Sequence, residues 1–149
     1  MKSILVRWVI FFAALCIIAT IIIGPTVYLR ISEGMIKEYL IKVDVMHLKS
    51  IHDSRDMVIA KNSLDLDSLV TELKKVEPYQ VNHPMIYKEI IIETDGYAIK
   101  NFTIYLAKEG DNNKAFICAS PLASTTSIGN FSSSGLNEWA RENGLFDKK

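Results

Sequence analysis

The run from Trp8 to Leu29, WVIFFAALCIIATIIIGPTVYL, contains no side chain charged at neutral pH. At about 1.5 Å per helical residue it covers roughly 30 Å, the thickness of one hydrocarbon core. Trp8 and Tyr28 lie near its two ends, where amphipathic rings favour the headgroup level, and Arg7 and Arg30 close it on either side. Gly24-Pro25 falls in the outer turns, where the missing N–H predicts a kink and not a break. The run exceeds the roughly 7–15 apolar residues of a cleaved signal, and the nearest small-x-small pattern, Ser32-Glu-Gly34, lies beyond its apolar end. A retained transmembrane helix is therefore expected, in a single-pass protein. Leu15 directly before Cys16 fits a lipid-attachment signal poorly, so Cys16 reads as a small apolar side chain.

Lys2 and Arg7 precede the span without an acidic residue, whereas Glu33, Glu38 and Asp44 interleave the basic residues that follow it. This asymmetry predicts a cytoplasmic N-terminus. The expected organisation is a short tail over 1–7, the transmembrane helix over 8–29, a stem helix over 30–52 and an exported domain over 53–149. The chain has 17 basic and 17 acidic residues; removing Lys2, Arg7 and Arg30 leaves the remainder acidic, at about −3. No basic stripe is present to attract nucleic acid. Cys16 and Cys118 are the two cysteines, one in the span and one beyond it, so no intramolecular disulfide is expected. Within the apolar stretch Phe116-Ile-Cys-Ala119, Cys118 is expected to be buried and inert.

Beyond the span, Ile36, Tyr39, Leu40, Val43 and His47 recur at helical spacing, which predicts that the stem continues to about Ile51; a strand through Ile41, Val43 and Val45 is the competing pattern. His52 to Asp56 reads as a polar turn and Met57 to Ala60 as a short strand. Leu66, Leu69, Val70, Leu73 and Val76 share one helical face, with Asp65 as cap, Leu64 as staple and Pro78 beyond the end. Asp95-Gly96 predicts a two-residue hairpin turn, with Thr94 facing Tyr97 and Ile92 facing Ile99. Apolar residues occupy odd positions at Tyr97 and Ile99 but even ones at Phe102, Ile104 and Leu106, a parity change that demands a β-bulge near Lys100-Asn101. A turn over 108–113 and a strand over 114–120 follow. Pro121 to Ser134 is Ser/Thr-rich and reads as a loop. A last helix starts at about Gly135, capped by Ser134 and stopped at Gly144, with Leu145 and Phe146 folded back onto it.

The predicted class is α+β: one transmembrane helix, then an antiparallel sheet of three to four strands packed by two to three helices. No arrangement in the sequence carries recognisable catalysis. His47, His52, Asp53 and Asp56 fit none of the usual metal-ligand spacings, and His83 stands alone beside Pro84. Ser124 to Ser127 and Ser132 to Ser134 lack a glycine-framed elbow, and Glu89 and Glu93 read as carboxylates that either solvate their strand or face lysines across it such as Lys100. Asn101-Phe-Thr103 and Asn130-Phe-Ser132 match the glycosylation triplet, which matters only in a eukaryotic secretory setting.

No catalytic, cofactor or metal site is therefore expected. A thin sheet covered on one face is expected to turn Thr103, Tyr105 and Ala107 outward as a partner surface, with edge strands as a second route. The function expected is protein binding by a membrane-anchored, non-catalytic domain in the periplasm of a bacterial inner-membrane protein, such as an accessory subunit or co-regulator of a signalling or secretion system. A periplasmic immunity protein that neutralises a toxin and a small-ligand sensor are the alternatives.

Overall fold

A computed structural model describes residues 2–95, 99–121 and 128–146. The chain divides into two compact units, Met1–Ser32 and Glu33–Lys149. The first is the bulk of helix α1, Lys2–Lys42, which runs unbroken through Pro25. Its segment from Trp8 onward is long and apolar enough to cross a membrane, with a mean hydropathy of 2.5. Thr20 satisfies its own hydroxyl there by donating to the Cys16 carbonyl at 2.8 Å.

The second unit is α+β. The last turns of α1 contribute Ile36 and Leu40 to its core. The helix then stops at Lys42, well short of the expected Ile51. Asp44 is the reason: its carboxylate accepts the Val45 N–H at 2.7 Å while its own N–H donates to His47 Nδ1 at 3.1 Å, forming a capping box around a single 3₁₀ turn, Val45–His47. Strand β1, Leu48–Asp53, follows. The apolar spacing read as helix is thus shared between a helix end and a strand whose Leu48 and Ile51 are buried. Of the predicted turn over 52–56, His52 and Asp53 close β1 instead and the turn falls at 54–55, with Asp56 at a φ of 57°. Met57 to Ala60 is not a strand of the sheet; it makes one bridge, from Val58 to His52, as an arm returning beside β1.

Helix α2, Leu66–Leu73, has the predicted Asp65 cap, which accepts the Ser68 N–H at 3.0 Å. The sheet has six strands: β1, then β2 (Glu77–Pro78), β3 (Met85–Thr94), β4 (Ile99–Glu109), β5 (Asn112–Pro121) and β6 (Ile128–Ser132), in spatial order β1-β3-β4-β5-β6-β2 and antiparallel throughout. The additional strands, β2 and β6, occupy a proline-containing dipeptide and part of the Ser/Thr-rich stretch. Neither shows a sustained period-two pattern, because β2 is too short and β6 offers one buried apolar residue, Phe131, between Asn130 and Ser132.

The predicted bulge is present: the β4–β5 register steps between Ile99↔Pro121 and Asn101↔Ser120, so that Ile99 and Phe102 are both buried in the core. The predicted hairpin register is not. Ile92 faces Phe102 instead of Ile99, and Ile90 faces Ile104. Thr94 Oγ1 donates to the Ile99 carbonyl, and the tip over 96–98, with the expected Thr94–Tyr97 pair, lies outside the described residues. Aligning two isoleucines with Phe102 and Ile104 on the buried face outweighs the local preference of Asp-Gly for a two-residue turn.

Helix α3, Leu136–Glu142, packs beside α2. Trp139 Nε1 donates to the Asp65 carbonyl at 2.7 Å, and Asn143 Oδ1 accepts the Asp65 N–H at 2.7 Å. At the far end Leu145 N–H reaches the Ala140 carbonyl at 2.9 Å and Gly144, at a φ of 63°, reaches that of Arg141 at 3.0 Å, the two bonds of a Schellman stop. Leu145 and Phe146 fold back against the core as expected.

Ser134 does not cap α3. Gly135 is the cap residue, and the acceptor comes from α2, where Glu72 Oε2 takes the Gly135 N–H at 3.1 Å and the Ser133 hydroxyl at 2.7 Å. A Cβ on Gly135 would stand 2.4 Å from that carboxylate, so glycine is required by the close approach. Burial alone would raise the Glu72 carboxyl, but the Lys75 ammonium, the Ser133 hydroxyl and the Gly135 N–H together hold it below its ordinary 4.5.

Glu72→Gln is expected to cost about 2 kcal/mol at neutral pH, the scale of a hydrogen bond to a charged group. Because the folded-state value is depressed, the contribution is complete above 4.5 and disappears as pH falls through the folded-state value. Urea unfolding of both forms from pH 7 to pH 2.5 should show the gap closing on the acid side; a gap that widened there would contradict the assignment.

Candidate functional site

Alternation along β4 assigns its side chains to two faces. Phe102, Ile104 and Leu106 enter the core with α2 and α3, so Thr103, Tyr105 and Ala107 lie on the face away from those helices. Register extends that face across the sheet: Glu89 lies opposite Tyr105, Ile91 opposite Thr103, and on β5 Phe116 and Cys118 lie opposite Tyr105 and Thr103.

A row of rings crosses it. Tyr105 stacks on Phe116 with centroids 5.2 Å apart and planes 20° from parallel, and Phe116 meets Tyr79 at 6.1 Å. Tyr79 arrives from the segment after β2, whose backbone continues the sheet by donating from Tyr79 N–H to the Asn130 carbonyl at 2.7 Å. Its hydroxyl donates to Glu109 Oε2 at 2.7 Å, and Glu109 Oε1 accepts the Asn82 N–H at 3.2 Å, so one carboxylate ties the 79–82 segment to the end of β4. Burial, reinforced by that carboxylate, pushes the Tyr79 phenol up to about 12, while the Tyr79 hydroxyl and Asn82 N–H hold Glu109 below its ordinary value.

The three residues singled out by the sequence share this face but not its accessibility. Tyr105 is half-buried, Thr103 is buried and Ala107 is 0% exposed. Ala107 is short and lies between Ile86 and Lys114, taller neighbours in register. Phe116, at 3% exposed, is covered although it lies outside the main core cluster. Tyr105 is thus the member of the three that offers surface. Burial, then the Cys118 thiol and Glu89, raise its phenol. Tyr79 and Phe116 were not legible as part of the site, because their meeting depends on β6 and β2 being strands.

The remaining polar groups are engaged locally. Ser50 Oγ donates to Glu93 Oε2 at 2.6 Å, and this bond, with the nearby charges of His52, Lys49 and Lys100, holds Glu93 below its ordinary value. Glu93 faces Asn101 and Glu89 faces Tyr105, not lysines. Asp53 accepts the Arg55 and Met57 N–H groups at 2.8 and 3.0 Å, so its carboxylate fastens the turn. Among the described residues no group of three or more His, Cys, Asp or Glu side chains is disposed to hold a metal.

Cys118 is half-buried, its thiol donating to Asn130 Oδ1 at 2.9 Å, and burial pushes it up to about 11. At pH 7.5 a thiol with that value is about 100-fold less ionised than one at its ordinary value of 9.0. Alkylation of Cys118 in the folded chain should therefore be slower than in urea by two orders of magnitude or so; equal rates would show the thiol to be open. A Cys16→Ala background restricts the readout to this residue.

Comparison with known proteins yields no match: no family model, no curated protein and no solved structure resembles the chain.

Proposed function

We propose that this chain is a single-span protein of a bacterial inner membrane, with its N-terminus in the cytoplasm and its α+β unit in the periplasm, and that it acts without catalysis by binding a partner protein. The span rests on the uncharged stretch within α1. The orientation rests on Lys2 and Arg7 standing before it without an acidic residue.

The observation that carries the binding role is the face away from α2 and α3. Half-buried Tyr105 heads a row of rings there, and Ile86, paired with Ala107 on the same face, is exposed at its border. Tyrosine at a partly exposed position supplies contact area at low entropic cost together with a hydroxyl for orientation, as interface cores do. An accessory subunit or co-regulator of a membrane signalling or secretion system uses such a layout: a tether that confines the unit near its partner and a small face that docks on it.

The test is photo-crosslinking in intact membranes from a benzophenone residue at position 105, with the chain shown to resist alkaline extraction. A discrete adduct with one membrane protein, reduced at least about tenfold by Glu89→Arg on the same face, is expected, since a neighbouring charge disturbs docking by more than 1.4 kcal/mol. Release of the chain by alkali would remove the anchor. An adduct with a single soluble toxin would replace the co-regulator by an inhibitor, and absence of any adduct would remove the binding face.

A further inference from the structure

The connection from β2 to β3 leaves one edge of the sheet and has to cross β6, β5 and β4 before it pairs again. Tyr79 brings it onto the face away from α2 and α3, and none of residues 79–84 belongs to the apolar core cluster. Among the described residues three hydrogen bonds hold it. Tyr79 N–H donates to the Asn130 carbonyl, and the Tyr79 hydroxyl and Asn82 N–H donate to the two oxygens of Glu109. Two of the three therefore hang on one side chain. Gln80, Asn82 and His83 are exposed. His83 has a φ of 46° and precedes Pro84, whose ring favours an extended residue before it. The closed segment thus holds a backbone conformation that lifting would relax.

Phe116 is what the segment covers. Its ring is 3% exposed, yet it stands outside the core cluster, on the face of Tyr105. Tyr105 stacks on it at 5.2 Å and Tyr79 lies against it at 6.1 Å. A ring buried within the core is released only by unfolding, whereas one covered by a tethered surface segment is released by a local opening.

We infer that residues 79–84 form an autoinhibitory strap: fastened by Glu109, it keeps Tyr79 on Phe116, and when it lifts, Phe116 joins Tyr105 as open aromatic surface for the partner protein. Its role rests on the partner-binding reading and adds how that face is regulated. Lifting breaks no contact of the core cluster. It exchanges two bonds to a surface carboxylate for bonds to water, gives up one ring contact and relaxes His83. A partner that packs on Phe116 takes the place of Tyr79, so closure and docking exclude each other and the partner draws the strap toward its lifted state. Desolvated rings near the centre of an interface carry much of its affinity, which makes the covered Phe116 the larger part of what the face can offer.

Glu109→Ala removes both acceptors, and Tyr79→Phe removes the phenol bond while keeping the ring, a change that leaves folding intact if the alanine does not. Amide hydrogen exchange of the full chain in detergent micelles is the first readout. The Tyr79 amide is the decisive one, because its acceptor is Asn130 and not the altered side chain. It should exchange about tenfold or more faster in Glu109→Ala and by a smaller factor in Tyr79→Phe, with α2, α3 and the β4–β5 ladder unchanged. In intact membranes the adduct from position 105 should rise about threefold or more in Glu109→Ala, as the lifted fraction grows. Unchanged exchange at Tyr79, or acceleration that spreads equally to α2 and α3, would overturn the strap as a separate unit. An adduct that stays level or weakens while Tyr79 exchange quickens would overturn the autoinhibition and leave the binding face standing. No adduct from either the parent chain or Glu109→Ala would remove the partner-binding reading itself, and the strap's regulatory role with it.

Discussion

One inserted residue in β4 decides which side of the sheet every later side chain occupies. A strand alternates strictly, and Ile99 and Phe102 have opposite parity, so both reach the core only because the ladder with β5 slips at Lys100. Without that slip Phe102, Ile104 and Leu106 would face away from α2 and α3, and Thr103, Tyr105 and Ala107 would be driven under the helices. The aromatic row and the position of Cys118 opposite Thr103 follow from it, while Ile86 reaches the same face through a separate register shift between Ile86 and Lys88.

The helical layer is fastened by polar contacts around that apolar core. Trp139 fills the interior while its ring N–H and the Asn143 amide hold both backbone groups of Asp65, the cap residue of α2. Glu72 returns the arrangement by serving from α2 as the acceptor at the start of α3, where Gly135 has no side chain to do so. Each short helix thus supplies the end group of the other. Isolated helices of this length are marginal in water, and reciprocal capping with shared burial is what keeps them formed. Lys75 is more than half exposed, so its pair with Glu72 adds little beyond the hydrogen bonds.

The two faces of the sheet are stabilised differently. The helix side is a single apolar cluster that includes the last turns of α1. The other side is held by Tyr105, Phe116 and Tyr79 and by the carboxylates of Glu109 and Glu93, each bonded to a hydroxyl. A face built from rings and satisfied polar groups can stay hydrated at its rim and still present apolar area, which is the composition of a docking surface.

Much of this was legible in the residues themselves. The apolar run in α1, the face and cap of α2, the glycine stop after α3 and the bulge at Lys100 each depend on spacing, parity or a short side chain acting within a few positions, and local chemistry suffices to specify them. The end of α1, the strands β2 and β6, the register of β3 on β4 and the cap of α3 were not. Asp44 could cap a turn or continue a helix, and the choice fell to the sheet that needed Leu48 and Ile51. Pro78 and Asn130 carry no strand signal, and are held extended by neighbours distant in sequence. Ile92 meets Phe102 because the buried face rewards apolar alignment more than the turn rewards its preferred dipeptide. For the candidate surface, position along β4 assigned Thr103, Tyr105 and Ala107 to one face, but only the heights of the side chains packed beside them decided that Tyr105 remains reachable.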